Sequence, residues 1–317
     1  MKILDQLLPA SPIKQKWAAI AYTVIIAAIL TLVGIYGIGV YGIALFIFTP
    51  VFIGGGATLL YGRKNEISQK QAVKLGFTTL AIFTAVLLVF AIEGIICIFM
   101  AAPFALLLTW LGSKLAHSMV EKKAGNAPTV MALYILMIPA TAFIEKRNAP
   151  ELTAVVTTIE INSSPEKVWE NVIAFPQLKA PKEFLFKTGI AYPINARIDG
   201  AGVGAVRHCN FTTGSFVEPV TVWDKPKLLK FDVLEQPAPM KEISFWDIDA
   251  PHLHDYFVSK CGQFKLTALP NGRTLLAGTT WYYHNIKPVF YWQLWSNYII
   301  HKIHTRVLMH IKENSEK

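Results

Sequence analysis

Four long stretches of this chain carry no Asp, Glu, Lys or Arg: Trp17–Gly62, Leu75–Ile92, Ile95–Ser113 and Ala124–Ile144. A helix crosses a bilayer with about 20 mostly apolar residues, and in lipid every backbone N–H and C=O must be satisfied within the segment. The tracts therefore read as membrane spans. The first is too long for one helix and reads as a hairpin of two, 17–36 and 40–61, turning through Gly37–Val40. With 75–92, 95–115 and 128–144 this predicts about five spans in a polytopic region 1–146. The apolar stretch exceeds a signal-peptide core and more spans follow it, so the N-terminus is expected to be retained.

The formal net charge of +9 invites a nucleic-acid reading, but its distribution argues against one. Residues 1–146 hold 11 basic and 5 acidic side chains, and the remainder holds 19 and 16 with no basic block. A nucleic-acid partner needs a concentrated basic footprint, so none is expected. The basic residues of the first half instead cluster in short segments: Lys14 and Lys16; Arg63, Lys64, Lys70 and Lys74; Lys114, Lys122 and Lys123. By the positive-inside rule these segments are cytoplasmic. Five spans then put the N-terminus in the cytoplasm and the C-terminal half outside it, in a bacterial-type plasma membrane. Glu93, Gly94 and Pro103 interrupt the fourth span, and a re-entrant segment there would return the C-terminal half to the cytoplasm. Glu93 reads as a water-facing turn, and Gly54-Gly55-Gly56 as close helix packing or a flexible kink. Cys97, Cys209 and Cys261 are too few for a disulfide framework and read as single buried thiols.

After a polar linker at 145–151 the pattern changes. Ala154–Ile161 alternates and is β-branched, which predicts a strand. Ser164 and Pro165 then mark a helix start before the Val168, Trp169, Val172 stripe. Strands are predicted at 203–211 and 216–223, joined by a two-residue turn at Thr213-Gly214, and at 228–234, 254–268 and 274–284. Residues 236–252 are Pro-rich and irregular, in the manner of a functional lid. A helix over 288–311 closes the chain, its expected buried face being Trp292, Trp295, Ile299, Ile303 and Val307.

Strand, helix, antiparallel strands and a long last helix make an α+β plan, with one helix across a curved antiparallel sheet. VTTIEINSSPEKVWENVIAFPQL (156–178), GVGAVRHCNF (202–211), WDKPKLLKFDV (223–233) and TTWY (279–282) resemble the START-like, polyketide cyclase/dehydrase (SRPBCC, helix-grip) superfamily. The resemblance covers 152–317. It implies a sheet gripping the last helix around a cavity that commonly holds lipids, sterols or other hydrophobic ligands; some members are cyclases or hydrolases, and some bind partners.

Several side chains are candidates for such a site. The expected turn pairs Phe211 with Phe216, Cys209 with Glu218 and Arg207 with Val220, so Arg207 and Glu218 lie diagonally adjacent on the apolar face. Buried charges must pair, giving either a ligand anchor or a structural ion pair. Alternation along 254–268 places His254, Tyr256 and Lys260 toward the cavity. His254 and Tyr256, with Glu218, are the catalytic candidates, against a plain surface histidine. Trp281, Tyr283, Trp292 and Trp295 crowd the end of the last strand and the start of the last helix, as core or as cavity lining. Phe245 and Trp246 are candidate gate residues. His252/His254 and His301/His304 are pairs without a third ligand, with His301 expected to face away from the sheet, so no metal and no cofactor is expected.

The function that fits these residues is carriage or sensing of a hydrophobic molecule or lipid beside the bilayer. The alternatives are an enzyme acting on a membrane-soluble substrate and a sensory or assembly module that binds another protein, of which the sequence names none.

Overall fold

A computed structural model describes residues 9–122, 127–145 and 150–317. Lys123 and residues 146–149 of the expected linker lie outside the described residues. The chain divides into two compact units. One comprises residues up to Ala149 with Ser244–Pro251 and Ile286–Pro288, and the other holds the rest of the C-terminal half.

In the first unit, helix α1 (Pro12–Leu32) runs into a π-helical turn, Val33–Ile38. Gly39 ends it at φ 76, and the amides of Gly39 and Val40 both donate to the Gly34 carbonyl at 3.0 Å. This left-handed closure falls inside the expected Gly37–Val40 turn. A second π segment, Ala44–Phe48, leads into α2 (Thr49–Tyr61). Ser68 and Gln71 form a reciprocal capping box that starts α3 (Gln69–Val89). Helix α4 (Ile95–Glu121) is continuous through Pro103, and α5 spans Ala127–Glu145. Among the described residues, Pro12–Ile38, Ala44–Tyr61, Gln69–Val89 and Ile95–Glu121 are long and apolar enough to cross a membrane.

Glycine sets the spacing of α2, α3 and α4. A Cβ on Gly54 would lie 2.1 Å from the Thr109 carbonyl oxygen, one on Gly112 2.2 Å from that of Val51, and one on Gly76 2.1 Å from Ser113 Oγ. The backbones approach this closely only because those positions lack side chains, as the glycine run predicted. Ser113 Oγ donates to the Gly54 carbonyl across the same contact. Glu93 lies in the α3–α4 connection as expected, but it is buried rather than water-facing.

The second unit carries a seven-stranded antiparallel sheet in the order β1-β7-β6-β5-β4-β3-β2. Its strands are β1 (Thr153–Ile161), β2 (Pro193–Asp199), β3 (Val206–Phe211), β4 (Gly214–Asp224), β5 (Leu228–Asp232), β6 (Phe257–Ala268) and β7 (Thr274–His284). The first helix, α6 (Pro165–Ile173), has Ser164 at its cap position and Pro165 in its first turn, and it buries Val168, Trp169 and Val172. A single turn, α7 (Phe184–Lys187), precedes β2, and α8 (Val289–Ser315) closes the unit. The sheet curls as a half-barrel around α8, a helix-grip fold. Its main core joins Trp169, Phe175, Leu229, Phe231 and Leu276 to Val307, Leu308 and Ile311 of α8.

Three expectations change here. The β3–β4 turn lies one position earlier, at Thr212-Thr213, which shifts the pairing by two, so Phe211 opposes Gly214, Cys209 opposes Phe216 and Arg207 opposes Glu218. A slip of two keeps every side chain on its face. Edge strand β2, headed by Pro193, has no counterpart in the expected strands. The buried face of α8 runs through Trp292, Ile300, Val307, Leu308 and Ile311 rather than Trp295, Ile299 and Ile303.

Candidate ligand-binding face of the half-barrel

Arg207 and Glu218 face each other across β3 and β4 and form an ion pair, at 2% and 6% exposure. The Arg207 guanidinium lies 5.3 Å from the Phe231 ring centroid and 5.6 Å from those of Phe175 and Phe264, within cation–π range. Burial pushes the Glu218 carboxyl up, against the pull of the neighbouring guanidinium. Desolvation is the largest influence on Arg207 and works against its charge, but the charges of Glu218 and Cys209 and their hydrogen bonds together raise the Arg207 pKa. Burial also drives the Cys209 thiol up to about 12, so it stays protonated. Among the described residues, Arg207 Nε has no hydrogen-bond acceptor. Phe211 and Phe216 stack edge-on at 4.9 Å and are partly buried against the same core. The concave face thus combines an aromatic lining with a charged pair that retains one unused donor.

A second polar group joins α8 to the sheet. Thr157 Oγ1 on β1 contacts His301 Nδ1 at 2.8 Å and His304 Nδ1 at 3.1 Å, and His304 Nε2 contacts Thr280 Oγ1 on β7 at 2.8 Å. His301 therefore turns toward the sheet edge, correcting the expectation that it faces away. Burial, reinforced by His301, lowers His304 to about 4, so at neutral pH it is an uncharged ring held between two hydroxyls.

The other anticipated site residues do not converge. On β7 the even positions face α8: Thr280 bonds His304, a Cβ on Gly278 would touch Leu308, and Tyr282 is fully buried with its hydroxyl donating to Asn297 Oδ1 at 2.8 Å. Trp281 and Tyr283 therefore project from the opposite face, under the ammonium groups of Lys230 at 5.6 Å and Lys260 at 5.4 Å. The Lys260 expectation fails for a related reason. An irregularity between Ser259 and Cys261 resets the alternation, so Phe257 joins Tyr282, Val155 and Ile300 on the inner side while Lys260 is exposed. His254 is exposed ahead of β6, and Tyr256 is half-buried, its carbonyl accepting from the Asn285 amide. Trp292 is buried on α8 and Trp295 is half-buried. Phe245 and Trp246 lie exposed in the segment grouped with the helical unit, not in a closed gate.

Sequence reasoning passed over Tyr282, Thr280, Phe175, Phe231 and Phe264, and weighed His304 only as half of a metal-ligand pair. The signal for Tyr282 and Thr280 was present in the alternation of β7, where Leu276, Gly278, Thr280 and Tyr282 share parity. The three phenylalanines come from separate elements that only the fold assembles.

No protein-family model matches the chain, and no curated protein matches its sequence. Solved structures align with about half of the chain. The Zhui aromatase/cyclase of Streptomyces sp. R1128 is 11% identical, with a TM-score of 0.35, over 52% of this chain and 94% of that one. Truncated norcoclaurine synthase of Thalictrum flavum is 12% identical, with a TM-score of 0.34, over 53% and 95%. The Aha1 dimer of Colwellia psychrerythraea is 18% identical, with a TM-score of 0.31, over 52% and 96%.

Proposed function

We propose that the protein is anchored in a membrane by residues 1–146 and that its half-barrel, residues 152–317, binds a hydrophobic small molecule or lipid for carriage or sensing. The observation that carries this reading is the buried Arg207–Glu218 pair within the Phe175, Phe231 and Phe264 rings, with Arg207 Nε left without an acceptor. Apolar sites fix ligand orientation with a few placed polar groups, and a buried donor costs free energy until it is satisfied. The ligand is therefore mostly apolar and carries a hydrogen-bond acceptor. Anchoring has a physical logic: a molecule that partitions into lipid reaches a tethered site at high local concentration. The same reading gives about five spans, a cytoplasmic N-terminus and an extracytoplasmic half-barrel, in line with the basic segments of the first half.

The test is native mass spectrometry of the full chain in mild detergent, with extraction and identification of bound small molecules. The double substitution Arg207→Met/Glu218→Leu removes the polar pair while keeping the volume. A defined apolar molecule on the wild type that is lost from the double variant supports the reading, and a wild type that carries none after exposure to membrane lipids overturns it.

A further inference from the structure

We infer that the tip of the Pro-rich loop, Ser244–Trp246, is a lipid anchor that sets Phe245 and Trp246 into the headgroup region of the bilayer. The inference rests on the membrane-anchored reading above. Ser244–Pro251 groups with the unit of apolar helices, although the chain on both sides of it belongs to the half-barrel. Within that segment Ile248 and Ala250 are buried, at 9% and 1% exposure, so the loop is docked through its second half. Its first half points outward, with Phe245 fully exposed and Trp246 at 56%. The Trp246 amide donates to Ser244 Oγ at 3.1 Å, a local turn that holds the tip in shape.

Two adjacent large aromatics held outward by a docked loop forfeit the gain of burial unless another phase covers them. The membrane interface is the covering phase that this unit supplies. Indole is enriched there, because its ring body is apolar and its N–H remains hydrated. Charge narrows the chemistry. Asp247 and Asp249 follow the tip and no basic residue lies within it, so attraction to anionic headgroups is not the source of binding. The tip is expected to enter zwitterionic and anionic interfaces alike, in contrast to polybasic anchors.

The experiment places the full chain in phosphatidylcholine nanodiscs containing lipid brominated near the headgroup. The Trp246 emission is taken as the difference between wild type and Trp246→Phe, and that of Trp110, 38% exposed on the apolar helix α4, is obtained likewise from Trp110→Phe. Expected is a blue-shifted Trp246 component that loses most of its intensity to the brominated lipid, unchanged when phosphatidylglycerol replaces part of the phosphatidylcholine. Phe245→Ser is expected to red-shift that component. A Trp246 component at the water wavelength and unquenched, while Trp110 is quenched, overturns the anchor; a tip covered by another protein gives this same unquenched result. If Trp110 also escapes quenching, the membrane-anchored reading itself fails.

Discussion

Arg207 and Glu218 are direct cross-strand partners on the concave face of the half-barrel, and neither reaches solvent to any useful extent. Their energetics are those of a desolvated ion pair, in which each charge is tolerable only because the other is present. Arg207→Met alone or Glu218→Leu alone is expected to destabilise the protein by about 3–5 kcal/mol, whereas the double substitution restores most of the loss. Chemical unfolding of the full chain in detergent, run as a double-mutant cycle, checks this; additive losses would mean that the two charges are stabilised independently.

The His304 imidazole imposes a pH dependence. Its folded pKa is lowered to about 4 from an ordinary 6.5, so between these values the unfolded chain binds more protons than the folded one. Stability is therefore full above pH 6.5, falls as the pH drops toward about 4, and levels off below. His252, also lowered to about 4 by burial, contributes in the same direction. Melting temperature followed across that range should show a shallower acid limb for His304→Gln than for wild type.

The parity of β7 makes a sharper test of which face is interior. Tyr282→Ala is expected to cost about 3–5 kcal/mol, the usual range for a buried aromatic. Trp281→Ala, though it removes a larger side chain, should cost roughly 1 kcal/mol, because its ring lies on the face away from α8. Similar losses from both would place the two faces wrongly.

In the helical unit, glycine substitutions should divide by backbone contact. Gly112→Ala and Gly54→Ala place a methyl about 2 Å from a carbonyl oxygen of the facing helix and are expected to lower the melting temperature in detergent sharply. Gly34→Ala, whose Cβ meets nothing within 4 Å, should be neutral or slightly stabilising. A reversed order would refute the close helix contact.

The Gly39–Gly42 connection offers a fifth test. The amide of Ile43 donates to both carboxylate oxygens of Glu145, at 3.0 and 3.2 Å, and a Cβ on Gly42 would lie 1.9 Å from Glu145 Oε2. Gly42→Ala is expected to displace that carboxylate and weaken the packing of α5, measurable as faster proteolysis of the full chain in detergent.

The sequence by itself determined the apolar helices, the strand–helix–strands–helix order and the need for Arg207 and Glu218 to pair. These follow from local rules: hydropathy over a helix length, period-two alternation, cap and turn residues, and the cost of burying a lone charge. Even the misplaced β3–β4 turn left the pair on the correct face, since a two-residue slip preserves parity. Tertiary structure decided what those rules do not reach. The irregularity at Ser259–Cys261 reversed the facing of Lys260, because one extra residue in a ladder shifts parity. His304 entered the buried face of α8 because hydroxyls from β1 and β7 meet its ring there, which compensates a polar side chain that hydropathy places outside. The rings around Arg207 came from α6–β2, β5 and β6, and which distant elements meet is set by sheet order and helix packing, not by local sequence spacing.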